Sequence, residues 1–107
     1  MIIQNAKIQN AKLTIDNNKL TLWMYLDYGN SNFYQGFGGY NLKSFKSTCE
    51  CFITRCMEIA EVEDFNDLKE KCIRVKKKDE GIMSTIIEIG HIIKYDWFNP
   101  SEDFKKI

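Results

Sequence analysis

A chain of 107 residues with 44% hydrophobic and 28% charged side chains has the size and make-up of one globular domain, large enough to bury roughly two thirds of its unfolded surface. Its 15 basic and 15 acidic residues cancel, which argues against a strongly basic nucleic-acid binder and against an acidic mimic of the DNA backbone. No apolar run approaches the roughly 20 residues of a membrane helix, and Met1-Ile2-Ile3 before Gln4-Asn5 lacks the basic start and long apolar core of a secretion signal. The expectation is a cytoplasmic single domain over 1–107, with 101–107 a short charged tail and the cysteines reduced.

The chain opens on a five-residue echo, Gln4-Asn5-Ala6-Lys7-Ile8 then Gln9-Asn10-Ala11-Lys12-Leu13. Strand side chains alternate with period two, so an odd repeat moves the apolar set from one face to the other, and a bulge near Gln9-Asn10 is the natural repair. Asp16-Asn17-Asn18 reads as a hairpin turn and Lys19–Tyr28 as a second strand. Leu20, Leu22, Met24 and Leu26 form its core face. Trp23 and Tyr25 on the other face are either covered by the C-terminal tail or placed at a subunit interface.

Gly29 to Asn32 is a loop by composition. Phe33 to Gly38 reads as a third strand within Tyr34-Gln35-Gly36-Phe37-Gly38-Gly39-Tyr40, which holds three of the six glycines. Ser47-x-x-Glu50 is a capping box, and Phe52, Ile53, Cys56, Met57 and Ala60 then recur at helical spacing, which predicts a helix over Thr48–Glu61. Asp64 to Leu68 suits a single helical turn. Cys72–Lys77 reads as a fourth strand, with Ile73 and Val75 opposite Arg74 and Lys76, and Ile82–Ile93 as a fifth. Three strands, a helix and two strands give an α+β fold: a mostly antiparallel five-stranded sheet with one main helix packed on it.

Charge is unevenly placed. Residues 1–46 carry five Lys and two acids, whereas 47–71 carry seven acids against Arg55, Lys69 and Lys71, so one side is expected to be acidic.

Catalytic chemistry is sparse. The single histidine, His91, falls in phase with Ile87, Ile89 and Ile93, the pattern of a hydrogen-bonded core histidine, and no Ser, Cys or carboxylate motif accompanies it. The spacing of Cys49, Cys51, Cys56 and Cys72 matches no common zinc knuckle, so these read as small apolar fillers, with Cys49 in the first helical turn. No enzyme activity, metal or cofactor is expected.

The glycine-aromatic stretch lacks both the dinucleotide and the P-loop spacing. Two readings use its parts: a strand kinked so that Phe37 enters the core, or bare amides that approach a phosphate while Tyr34 and Tyr40 stack on a base. In the second, Arg74, Lys76 and Lys94 supply the countercharge and His91 completes the site. Trp97 and Phe98 either cap the core or join Trp23 and Tyr25 at an interface.

Gln35-Gly36-Phe37-Gly38-Gly39-Tyr40, Phe52-Ile53-x-Arg55, Phe65-x-Asp67-Leu68 and Ile89-Gly90-His91-Ile92-Ile93-Lys94-x-x-Trp97-Phe98-x-Pro100 together resemble a family of small phage and prophage proteins of long-uncertain function. The resemblance covers most of residues 20–100. The chain departs from it by a longer N-terminal strand, by extra helix cysteines, and by Glu70 where a glycine is expected. It implies a counter-defence factor. One form is a homo-oligomeric sponge for a cyclic nucleotide or an ADP-ribose-derived host immune signal. The other is a protein inhibitor of a host defence protein, such as an anti-CRISPR. Direct nucleic-acid binding is not expected.

Overall fold

The computed structural model describes residues 1–16, 18–29, 33–39, 46–81 and 84–106. Strands β1 (Ile2–Asp16), β2 (Lys19–Asp27), β3 (Tyr34–Gly38), β4 (Cys72–Lys77), β5 (Ile86–Gly90) and β6 (Trp97–Phe98) form one antiparallel sheet in the order β3-β2-β1-β4-β5-β6. Helix α1 (Lys46–Ala60) and a 3-10 turn, Phe65–Leu68, lie between β3 and β4. A short helix, α2 (Pro100–Asp103), runs into a second 3-10 turn, Phe104–Lys106. The architecture is α+β, with six strands where the sequence reading has five. The additional strand is β6, two residues long, which becomes a strand only by pairing Phe98 with Ile89 and Trp97 with Gly90.

Strand β1 is the spine. Its first part pairs with β4 from Ile2↔Lys77 to Lys7↔Cys72, and its second with β2 from Lys7↔Asp27 to Asp16↔Lys19. The register slips between Ile8 and Asn10, at the join of the two echoed pentapeptides. That bulge restores the inward face, so that Ala6 and Ile8 before it and Ala11 after it all pack on the core. Asn18 carries the positive φ, 64°, that a two-residue hairpin loop requires.

One face of the sheet carries the core. Phe52, Cys56, Ile59 and Ala60 of α1 are buried against Ile8, Leu22, Met24, Leu26, Ile73, Val75 and Ile89. Four phenylalanines build the centre: Phe37 stacks on Phe52 at 5.8 Å, and Phe98 meets Phe52 edge-on at 5.6 Å and Phe104 at 6.3 Å. Phe104, within the expected charged tail, thus pins the C-terminal turn to the core. Phe65 and Leu68 of the first 3-10 turn pack on the same cluster, so every described helical element lies on one side of the sheet.

Helix α1 ends in a Schellman motif: the Val62 amide donates to Met57 O at 3.0 Å and the Glu61 amide to Glu58 O at 3.1 Å. The residue that must turn left-handed there, at φ 56°, is Glu61 rather than glycine. Glu70 is also left-handed, at φ 77°, which is the backbone reason a glycine suits that position. The side chains of Ser47 and Cys49 lie outside the described residues, as does Tyr40, so the capping box and the thiol at the helix start are not placed. Cys56 is a buried filler as expected, whereas Cys72 is exposed at the start of β4.

Candidate functional site

Alternation along the strands puts Trp23 and Tyr25 of β2, Lys12 and Asn10 of β1, Arg74 and Lys76 of β4, and Trp97 of β6 on the face away from the helices. The glycines are explained there. A Cβ on Gly36 would stand 3.1 Å from Trp23 Cε3, and one on Gly39 only 2.2 Å from Trp23 Cζ2. At the other end of the sheet a Cβ on Gly90 would stand 2.5 Å from Trp97 Cε3. Each indole lies against strand backbone from which the side chain has been removed. Gly38, at φ 137°, has the Leu22 carbonyl oxygen where a Cβ would go, 2.0 Å away, because Gly39 turns back to donate to that oxygen at 3.0 Å. The room in Gly36-Phe37-Gly38-Gly39 is therefore taken up by the protein's own Trp23 and β2 backbone.

The sequence-derived site divides accordingly. Tyr34 and Gly36 are exposed on β3, but Phe37 is in the core and Gln35 is buried. Tyr28 Oη donates to Gln35 Oε1 at 2.5 Å, and Gln35 Nε2 donates to Ser84 O at 2.9 Å, while Lys77 Nζ lies 4.2 Å above the Tyr28 ring. Burial pushes the Tyr28 phenol up and the Lys77 ammonium down. Arg74, His91 and Lys94 gather around β4, β5 and the loop that follows. Two strands separate β3 from β4, so at about 4.8 Å per strand the two halves stand roughly 14 Å apart and form no single pocket. Phe98, expected at an interface, is fully buried beside Phe52 because β6 turns alternate side chains to opposite faces, leaving only Trp97 outside.

His91 organises the β5–β6 loop. Its Nδ1 accepts from the Ile93 and Lys94 amides at 3.0 and 2.9 Å, which leaves the ring proton on Nε2 to donate to Glu61 Oε1. The other oxygen of Glu61 meets Lys94 Nζ at 3.0 Å, and these bonds hold the carboxyl down at about 2. Arg74 donates to His91 O at 2.7 Å and to Lys94 O at 2.9 Å. From α1, Arg55 reaches Asp96 at 2.7 Å and Trp97 O at 3.3 Å. Arg74 and His91 are thus occupied in shaping the loop that presents Trp97. Ile93, expected in phase with the core, is exposed on that loop.

No protein-family model, curated protein or solved structure matches this chain.

Sequence reasoning passed over Lys12, and it did not foresee that Glu61 and Arg55 would hold the β5–β6 loop. Lys12 stands directly opposite Trp23 in the β1–β2 register, a pairing that needed the bulge to be placed to the residue. Lys76 Nζ lies 4.3 Å and Arg74 Cζ 4.9 Å from the centre of the Trp97 ring, and Lys76 pairs with Glu88 at 3.3 Å. A cavity of about 320 Å³ against α1, lined by Glu50, Cys51, Thr54 and Arg55, lies away from all of these except Arg55. Among the described residues no group of His, Cys, Asp and Glu could hold a metal, and no helix is long and apolar enough to cross a membrane.

Proposed function

We propose that this protein is a non-catalytic phage counter-defence factor that sequesters a nucleotide-derived host signal, and that the helix-free face of the sheet holds the ligand. The phage assignment rests on the resemblance of the sequence motifs. The observation that carries the site is the indole of Trp23, laid on the bare backbone of Gly36 and Gly39 and paired across the strands with Lys12. A rigid half-buried ring offers a stacking surface to a base, and a cross-strand lysine about 5 Å away suits the adjoining phosphate. Tyr25, two residues along the same face of β2, extends the aromatic strip. The site is moved from the glycine-aromatic stretch to the face that the stretch supports.

Calorimetric titration with cyclic nucleotides and ADP-ribose derivatives tests this reading. Binding of one of them, weakened at least tenfold by Lys12→Glu with the melting temperature retained, supports it. Failure of every compound to bind or to shift the melting temperature overturns it.

The acidic side supports a second reading, an inhibitor of a basic host protein: Glu50 on α1 and Glu63, Asp64 and Asp67 beyond it are exposed. Charge reversal at Glu50 and Glu63 tests it. Glu61 does not serve, because it holds His91 and Lys94. A salt-dependent complex with a defence effector that survives both reversals counts against this second reading.

A further inference from the structure

We propose that the free edge of β1 at the tip of the β1–β2 hairpin is the pairing edge of a homodimer, in which two copies join antiparallel to continue one sheet. Strand β4 leaves β1 at Lys7↔Cys72, and Ile8 then exchanges backbone bonds with the turn that follows the first 3-10 segment, its amide to Lys71 O and its carbonyl from the Glu70 amide, both at 2.7 Å. Phe65, Asn66 and Lys69 flank Asn10 and Ala11 around a small cavity. From Lys12 to Asp16 no described strand pairs with β1 on the side away from β2.

The direction of the main-chain groups on this edge follows from the pairing. Antiparallel residues alternate between those that bond their partner strand and those that point away. Ile8 points away from β2, and Leu22 gives its carbonyl to Gly39 rather than to β1. Following the alternation across the bulge, Leu13 and Ile15 direct their amides and carbonyls to the free edge. Their side chains, with that of Leu20 opposite Ile15, lie on the apolar face yet are 44%, 76% and 37% exposed, beyond the reach of α1.

The sequence of this edge is complementary to itself. A two-fold axis at Thr14 sets Leu13 against Ile15 of the second copy in hydrogen-bonded pairs, so four backbone bonds form and the exposed apolar residues of both copies meet. The same register sets Thr14 against Thr14 on the opposite face. The dimer places the two helix-free faces side by side in one continuous sheet.

Sedimentation velocity over a micromolar concentration series tests the pairing. The expected result is a species of twice 12.6 kDa, returned to 12.6 kDa by Ile15→Lys with cooperative unfolding retained. In a Cys72→Ser background, Thr14→Cys is expected to give a disulfide-linked dimer on mild oxidation, because non-bonded antiparallel pairs hold their Cα atoms about 4.5 Å apart. Lys7→Cys, on the β4-paired part of the strand, is expected to give none. A monomer at every concentration, an oligomer that survives Ile15→Lys, or Thr14→Cys cross-linking no better than Lys7→Cys overturns the proposal.

Discussion

The seating of Trp97 on Gly90 gives the sharpest energetic prediction. Gly90 is extended strand without a positive φ, so the cost of Gly90→Ala comes from the indole alone. The new Cβ would stand 2.5 Å from Cε3 and 2.7 Å from Cδ2 and Cζ3, all within one rigid fused ring, so the whole indole must lift. Overpacking of this kind costs about 1–3 kcal/mol, and losing the Arg74 and Lys76 contacts adds about 0.5–1 kcal/mol each. At about 4 °C per kcal/mol, the melting temperature is expected to fall by about 8–20 °C. In a Trp97→Ala background nothing remains to displace, and the same change is expected to cost less than about 1 kcal/mol. Thermal and urea unfolding of the four proteins of this cycle measure the coupling. Equal costs of Gly90→Ala with and without the indole would refute the seating. Gly36→Ala is the graded comparison: its 3.1 Å approach to Trp23 asks the ring to give by only a few tenths of an ångström, for a loss below about 1 kcal/mol.

Phe37→Ala is expected to lower stability by about 3–5 kcal/mol through loss of its stack on Phe52, which urea unfolding reads directly; a small loss of stability with lost ligand binding would return Phe37 to the ligand site. The Glu61 carboxyl, held at about 2 against an ordinary 4.5, contributes stability that is complete above pH 4.5 and lost as the pH falls toward 2. Melting curves between pH 2 and 6 are expected to show that component in the parent and not in Glu61→Gln. Glu70→Gly relieves a left-handed glutamate at the expense of its exposed pair with Lys7, 3.3 Å apart, and is expected to leave stability unchanged or raise it by up to about 1 kcal/mol, whereas Glu70→Val lowers it.

Much of the fold is legible because its signals are local. The tandem pentapeptide locates the bulge, Asp16 to Asn18 the hairpin, and Phe52, Cys56 and Ala60 the buried stripe of α1. What escapes the sequence is longer in range. Strand β6 exists only through pairing with β5, and alternation by period two stops holding after Gly90, because His91 takes two amides onto its ring and Ile93 swings out to solvent. The glycine-aromatic stretch reads as backbone approached at close range, but the approaching group is Trp23 from the adjacent strand, which no spacing within residues 34–40 reveals. Arg74 and Lys94, two candidate phosphate ligands by sequence, are drawn to the His91 loop by carbonyls and a carboxylate that come from distant parts of the chain.

Two-dimensional NMR of the labelled protein, titrated with the nucleotide derivative that calorimetry selects, locates the ligand on one face of the sheet, since the two tryptophans each give one indole N–H resonance. The Trp23 indole and the amides of Lys12, Tyr25 and Gly36 are expected to shift together on one binding curve. Shifts confined to α1 and the acidic residues beyond it, with the Trp23 indole unmoved, would contradict that placement.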